Sequence, residues 1–357
     1  MIEQLNYTPT PTYNFPSSIE HLQLPSTFLE LSQSSMKNIE SRFLRPDQSF
    51  TNSISTDPIV SKELPNKIQQ TIKNIPLVRS REEIPIVGID VSSIHIGETD
   101  TGNLCAIRGA VVWKVKKRYK YQRIGPYPFH ITEHNKKEIL KLFRNNYFEL
   151  SNSNLFNMQT KMGNLLERWL QLGLSSSTYG TIILWDGSMT AGMIDSPIDD
   201  MDRLLNVARN RLNTILAFSK NTNLRIFSHK LTDYSKKAIP PCLLRIDELD
   251  SSFGQVLFLG DIYIAKLTPG ICSFRLDIDK KIPQEQGIIA VQKLLGNDLL
   301  IQSYPETLRL AHIYSTFTAT EVIGIQRFIS QRYKLKIIRR PNIRKILFGS
   351  FGKGAEE

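Results

Sequence analysis

The order of apolar segments along this chain of 357 residues constrains its fold more than any other feature. Two runs rich in Ile and Val, residues 84–91 and 104–115, are separated by the turn-forming residues 100–103, which predicts a β-hairpin. Helical and strand patterns alternate after this hairpin. The combination predicts a mixed sheet with helices packed against it, the α/β class.

The elements after the hairpin follow from the spacing of their apolar side chains. Three-four spacing predicts helices at residues 155–173, 201–216, 285–295, 305–316 and 321–333. Short apolar runs bounded by turn residues predict strands at residues 181–185, 224–227, 262–267 and 271–278.

Three regions are expected. Residues 1–80, rich in Pro, Ser and Thr at their start, form a partly irregular N-terminal extension; residues 81–350 form the main α/β domain, and residues 351–357 a tail. The N-terminus has no secretory signal pattern, and no apolar run is long enough to cross a membrane. We therefore expect a cytoplasmic protein without a membrane partner.

The formal charge of +11 is unevenly distributed. Residues 322–355 contain nine Lys and Arg residues and no acid, and the basic residues between Lys114 and Arg123 alternate with Trp113, Tyr119 and Tyr121. Lys and Arg displace condensed counterions from a phosphate backbone, and aromatic rings stack on unpaired bases. This composition favours nucleic-acid binding over a merely solvated strand and tail. The predicted contacts in these two regions are Lys114, Lys116, Arg327, Arg339 and Arg340.

Two aspartates mark the ends of predicted strands. Asp90 follows a strand of Ile, Val and Gly residues, and Asp186 follows the strand 181–185. Carboxylates from neighbouring strand ends can share a divalent cation, which prefers oxygen ligands and activates water beside a phosphodiester. An aspartate that merely ends a strand at a turn is the alternative for each residue alone.

Three other residues are candidates for the same site. Glu167 is the only acid in residues 151–180, on the helix that precedes the Asp186 strand. His312 lies eight residues after Tyr304, in a segment where Pro305 suits a helix start. A histidine can complete a metal shell or move a proton, although a lone helical histidine is more often a packed residue.

These residues resemble a known family, the NurA nucleases. The resemblance covers about residues 84–350 and depends on the strand 86–93, the sequence Trp185-Asp186-Gly187-Ser188, the strands with Tyr263 and Arg275, and the closing Tyr304-Pro305 with His312. It implies a ribonuclease H-like, PIWI-related core. It also implies a manganese-dependent nuclease that cleaves single-stranded DNA and trims ends in the 5′-to-3′ direction during double-strand break repair.

The resemblance assigns roles to residues. Asp90, Glu167, Asp186 and His312 would hold Mn²⁺ or Mg²⁺, and Tyr304 would join these four as a catalytic residue. The family also implies a homodimer and a HerA-type hexameric ATPase as partner. The chain departs from the family at Val91, where a glycine is usual and where a side chain is expected to crowd the site. A Ser-Lys pair of the family is matched loosely by Ser228 and Lys230. The resemblance therefore adds Lys230 and Arg275 to the predicted DNA contacts.

Two other functions fit parts of the sequence. A DNA-binding protein of the same fold that has lost cleavage is one alternative. An ATPase of the actin-like and sugar-kinase class is the other, because its phosphate-binding hairpin also follows a strand ending in Asp. The absence of the phosphate-loop glycine and of a later Gly-rich loop argues against this second alternative.

Overall fold

The computed structural model describes residues 24–338, except residues 38, 47–71, 116–117, 143–154, 193–196, 221, 223, 227–228, 247–251 and 254–255. The helices are α1 Ser26–Lys37, α2 Lys136–Leu140, α3 Leu155–Ser177, α4 Ile198–Asn210, α5 Gln284–Asn297, α6 Glu306–Ser315 and α7 Ala319–Arg332. None of the helices in the described part of the chain combines the length and apolar character that a bilayer crossing requires.

Most strands belong to one large mixed sheet. Its strands are β1 Phe43–Pro46, β2 Ile72–Pro76, β3 Ile86–Thr99, β4 Gly102–Val115, β5 Arg118–Thr132, β6 Ile182–Asp186, β8 Thr214–Ser219, β11 Cys242–Ile246, β14 Gly260–Lys266, β15 Phe274–Asp279 and β18 Lys336–Ile337. The shorter strands are β7 Thr190–Ala191, β9 Arg225–Ile226, β10 His229–Lys230, β12 Ser252–Phe253, β13 Val256–Phe258, β16 Leu300–Ile301 and β17 Tyr304–Pro305.

The centre of the sheet has the order β5-β4-β3-β6-β8. Strand β4 is antiparallel to β3 and β5, whereas β3, β6 and β8 are parallel to one another. Parallel neighbours need a crossover, which helices α3 and α4 provide. This order, with an antiparallel meander beside two parallel strands, is that of the ribonuclease H-like fold, so the predicted fold class is confirmed.

Alternating side chains of β3 separate two apolar layers. Val87 and Ile89 pack in one core with Met162 and Leu166 of α3. Ile86 packs on the opposite face, in a core that includes helices α5 and α6. A strand has a side-chain period of two, so the central sheet has helices on both faces.

The described part of the predicted N-terminal extension belongs to the same fold. Strand β1 pairs with β3 and β18, and β2 pairs with β11 at one end of the sheet. Phe28 of α1 lies in the core with its ring centroid 5.1 Å from that of Phe129 and 5.4 Å from that of Trp169. The sequence pattern did not predict these contacts, because each segment is too short to show periodicity.

Two predicted elements differ from those observed. Helix α4 ends at Asn210, so Ile215 and Leu216 belong to β8 and not to the predicted helix 201–216. Leu212 has a φ of 54°, which breaks the helix in a turn that no Gly or Pro marks. Helix α3 continues beyond Gly173 to Ser177, because an isolated glycine does not have to end a helix.

Candidate metal centre

Strand β3 places Asp90 on the face of the sheet that α6 covers. Asp90 lies four residues after Ile86 on β3, so the two side chains are on the same face of the sheet. The side chain of Ile86 packs towards α6. The prediction that Asp90 ends its strand is wrong, since it is the fifth residue of a 14-residue strand. What ends at Ile89 is the parallel pairing with β6; the antiparallel pairing with β4 continues along the hairpin.

Strand β6 brings Asp186 to the same face. Its residues Ile182 and Leu184 pack in the core that contains α6, and Asp186 continues this alternation as the last residue of the strand. Gly187 follows with a φ of 130°, a conformation that residues with a Cβ rarely adopt, and turns the chain away. Because β3 and β6 are neighbours, the two carboxylates face each other.

Helix α6 supplies the third group. The Nδ1 atom of His312 lies 3.2 Å from Oδ2 of Asp90 and 4.0 Å from Oδ2 of Asp186, and its side chain is 50% exposed. One ligand atom from each of these three residues lies within 4.8 Å of the others. The structure therefore brings together three of the residues that the sequence predicted.

The position of α6 explains that of His312. A Cβ on Gly88 would lie 3.1 Å from the carbonyl oxygen of Thr307, so the glycine permits close packing of the helix on β3. The buried Asp298 carboxylate accepts a hydrogen bond of 3.1 Å from the Thr307 amide, which places a negative charge at the helix N-terminus. At the other end of α6, the buried Ser315 hydroxyl donates to Oδ2 of Asp90.

Lys220 is a further charged group at this site. Its Nζ atom lies 2.5 Å from Oδ2 of Asp186 and 5.5 Å from the ring centroid of Tyr304. Burial raises the pKa of Asp186, and the positive charge of Lys220 opposes this shift. The ammonium group thus helps to keep a half-buried carboxylate ionised.

Glu167 lies on α3 and is half-buried. Its Oε1 atom accepts a hydrogen bond of 3.0 Å from Gln171. Burial raises the pKa of Glu167 to about 8; the charge of Arg168 opposes the shift, and the charges of Asp90 and Asp186 add to it. Glu167 interacts electrostatically with both aspartates. It does not belong to the group of ligand atoms that Asp90, Asp186 and His312 form. Its role as a ligand stays a prediction.

Tyr304 is buried directly before α6. Its ring centroid is 5.1 Å from that of Phe274 and 6.2 Å from that of Phe218. Burial raises the pKa of Tyr304, and the negative charges of Asp186 and Asp90 raise it further. The phenol therefore keeps its proton at neutral pH and can act as a hydrogen-bond donor beside the carboxylates.

Val91 does not crowd this site, contrary to the expectation from sequence. Val91 directly follows Asp90 on β3, so its side chain is on the opposite face of the sheet. It packs there with the core beneath α3. A Cβ built on Gly163 of α3 would lie 4.0 Å from Cγ1 of Val91. The departure from the family motif thus affects packing on the other face of the sheet.

The predicted DNA contacts divide into several groups. Arg275 is 5% exposed, and its Nε and Nη2 atoms each lie 2.6 Å from a carboxylate oxygen of Asp277. The structure thus gives Arg275 a buried carboxylate partner, and its role as a DNA contact stays a prediction. Lys114 donates to the carbonyl of Asn297 and lies 5.2 Å from the ring centroid of Tyr119, so it has a structural partner.

The remaining basic residues have different positions. Arg327 is exposed on α7, and Lys230 is half-buried in the short strand β10. The other three predicted contacts, Lys116, Arg339 and Arg340, lie outside the described residues.

Sequence reasoning missed Lys220 and Ser315. Ser219 is the last residue of β8, and Lys220 follows it directly after the apolar run of that strand. Because the predicted helix was extended through Leu216, strand β8 and the lysine that follows it were not recognised. For Ser315 the signal was its spacing, three residues after His312 on the same helical face.

The fold and the site together define a class: a ribonuclease H-like α/β protein with a candidate divalent-cation centre of two aspartates and a histidine. Carboxylate oxygens with an imidazole nitrogen suit Mn²⁺ or Mg²⁺ better than a thiolate-preferring metal. The donor set therefore fits such an ion.

Comparisons with known proteins find several solved structures whose sequences have low identity to this chain. The NurA nuclease from Sulfolobus solfataricus is 15% identical, with 75% of this chain and 89% of that chain covered and a TM-score of 0.48. A NurA structure with manganese is 9% identical, covering 84% and 96%, with a TM-score of 0.39. Endonuclease V from Bacillus subtilis is 12% identical, covering 74% and 90%, with a TM-score of 0.32. No family model and no curated protein matches the chain.

Proposed function

We propose that this protein is a metal-dependent deoxyribonuclease that hydrolyses phosphodiester bonds at DNA ends and in single strands. The observation that carries the proposal is the convergence of Asp90, Asp186 and His312, whose ligand atoms lie within 4.8 Å of one another. These residues come from positions 90, 186 and 312 of the chain, and general packing gives no reason to gather two aspartates and a half-exposed histidine on one face of the sheet.

Asp90, Asp186 and His312 would hold Mn²⁺ or Mg²⁺. Such an ion supplies Lewis-acid polarisation of a phosphoryl oxygen and a source of nucleophilic water at neutral pH. Ser315 orients the Asp90 carboxylate through its hydroxyl. If His312 is not bound to the ion, it would instead carry a proton to or from solvent, since its side chain is half exposed.

Lys220 and Tyr304 would act on the phosphate. The Lys220 ammonium lies beside Asp186 and can shift to an incoming phosphate oxygen, since its side chain is 36% exposed. Tyr304 retains its phenolic proton and can donate a hydrogen bond to the same group. Glu167 would become a third carboxylate ligand once it loses its proton, which a neighbouring cation promotes.

The choice of DNA and the partners are supported by other features. The charge of +11 and the exposed Arg327 on α7 support a polyanionic substrate. A homodimer and a HerA-type hexameric ATPase are supported by the resemblance of the sequence motifs to NurA nucleases. Mn²⁺ and Mg²⁺ are both compatible with the donor set.

A direct test incubates the protein with 5′-labelled single-stranded DNA and Mn²⁺, and repeats the reaction with a chelator. We expect fragments that disappear on chelation and in Asp186→Asn. The matched control is Asp100→Asn, at the turn between β3 and β4, where the 49% exposed carboxylate pairs with Arg42. Retention of DNA without fragments would instead support the binding protein, and turnover of ATP would support the kinase-like alternative.

A further inference from the structure

Two tyrosines form a stack on the α6 face of the sheet. The ring of Tyr121 on β5 lies 3.8 Å, centroid to centroid, from that of Tyr314 on α6, and the ring planes differ by 12°. Tyr121 nevertheless remains 42% exposed. One face of its ring is therefore supported by Tyr314, while much of the side chain stays accessible to solvent.

The strand register places this stack beside the candidate metal centre. Asp90 pairs with Ala110 of β4, which pairs with Arg123 of β5, and Tyr121 lies two residues from Arg123 on the same face. With strands about 4.8 Å apart and about 3.4 Å per residue, the Cα atoms of Tyr121 and Asp90 are roughly 12 Å apart. Helix α6 joins the two features, since it carries both His312 and Tyr314.

The other aromatic residues of the basic segment have structural roles. Trp113 is 5% exposed and packs in the core. The Tyr119 hydroxyl donates a hydrogen bond of 2.6 Å to Asp298, the residue that also binds the first turn of α6. Of these three residues, Tyr121 is the most exposed, whereas Tyr119 is half-buried.

Positive charge borders the stack. The guanidinium of Arg123 lies 5.4 Å from the ring centroid of Tyr314. The single carboxylate of Glu321 pairs with Arg123 at 3.3 Å and with Arg108 at 3.0 Å. Arg123 thus brings a guanidinium group next to the stacked rings, and a cation at this place favours a phosphate backbone.

We propose that Tyr121, supported by Tyr314, is a base-stacking subsite for an unpaired nucleobase of the DNA strand whose phosphate enters the metal centre. This inference rests on the proposed function and names the substrate form, a single strand. In a duplex both faces of a base are covered by its stacked neighbours. The stacked base lies within a few nucleotides of the scissile phosphate.

Binding of a fluorescein-labelled oligo-dT, measured by anisotropy in chelator, tests the subsite without requiring cleavage. We expect Tyr121→Ala and Tyr121→Leu to weaken binding about 5- to 100-fold, and Tyr121→Phe to restore it, because stacking needs the ring and not the hydroxyl. Tyr121→Leu keeps apolar bulk against Tyr314 if the alanine variant fails to fold. Tyr179→Ala, which removes an exposed tyrosine before β6, is the control and should bind like the wild type.

A second arm locates the subsite along the strand. In the wild type, a single abasic position scanned along the oligonucleotide should weaken binding at one position, and this effect should vanish in Tyr121→Leu. Equal affinity of wild type and Tyr121→Leu, or equal losses with single-stranded and hairpin duplex DNA, would overturn the subsite. A protein that never cleaves but shows the Tyr121-dependent pattern would refute the nuclease and leave the subsite standing.

Discussion

Two pairs of aspartates in the same sheet have different surroundings. On β15, Asp277 binds both Nε and Nη2 of Arg275 and accepts a hydrogen bond of 2.9 Å from the Met189 amide. Asp279, two residues further along, pairs with Arg209. Each of these carboxylates has its own guanidinium partner, and the arrangement is closed to further ligands.

Asp90 and Asp186 are arranged differently. They face each other across neighbouring strands, and their partners are a hydroxyl, an imidazole and a lysine that is 36% exposed. No described arginine lies within ion-pair distance of either carboxylate. The comparison shows that burial of an acid does not by itself indicate a functional site. What distinguishes the metal centre is the convergence of acids with replaceable partners.

The two pairs of aspartates should differ most in their effect on the rate of DNA cleavage. Asp90→Asn should reduce the rate of single-strand cleavage in Mn²⁺ on the order of 10³-fold, because it removes a charged ligand. Asp279→Asn, the corresponding change on β15, should leave the rate within a few-fold of wild type, measured on the folded fraction. Equal losses in the two variants would remove the distinction between the regions.

Substitution on β15 should reduce the stability of the protein more than substitution of Asp90. Asp277→Asn leaves the Arg275 guanidinium buried without its charge partner and should lower the free energy of unfolding by about 3–5 kcal/mol. Asp90→Asn relieves repulsion between facing carboxylates and should leave stability unchanged or raise it. Urea denaturation of both variants without metal measures this contrast; a strongly destabilised Asp90→Asn would contradict it.

Metal binding should stabilise only one of the two regions. At 100 times its dissociation constant, Mn²⁺ adds about 2.7 kcal/mol to the free energy of unfolding, which corresponds to a Tm increase of about 3–5 °C. The increase should be absent in Asp186→Asn and preserved in Asp279→Asn. Thermal unfolding with and without Mn²⁺ checks this, and an increase that survives in Asp186→Asn would place the ion elsewhere.

The pH dependence of Glu167 should give the smallest effect. The folded-state pKa of about 8 lies above the ordinary value of 4.5. Its contribution to stability is therefore full below pH 4.5 and is lost as the pH rises through 8. Without metal, wild type should therefore lose stability between pH 5 and 9 that Glu167→Gln does not lose. In wild type, Mn²⁺ affinity should rise across the same interval, because the metal competes with the proton.

Much of the fold could be predicted from local patterns. Strands β4 and β6 and helices α5, α6 and α7 were expected near their observed bounds, whereas β3 continues beyond its predicted end at residue 91 to Thr99. Strand β8 was missed because Ile215 and Leu216 also fit the stripe of the preceding helix. That error hid Lys220, whose place in the site depends on the end of β8.

The sequence by itself determined which side chains were available: strand-borne Asp90 and Asp186, a helical His312, and a basic segment with aromatic residues. Periodicity also determined the fold class, because hydrophobic patterning is a local property of the chain. The tertiary structure alone decided which charges are free for function. Arg275 and Lys114 look the same as Arg327 in sequence, yet they are bound by Asp277 and by the Asn297 carbonyl. The Lys114–Asn297 contact joins distant segments, and the burial of the Arg275–Asp277 pair within β15 depends on packing that no local pattern records.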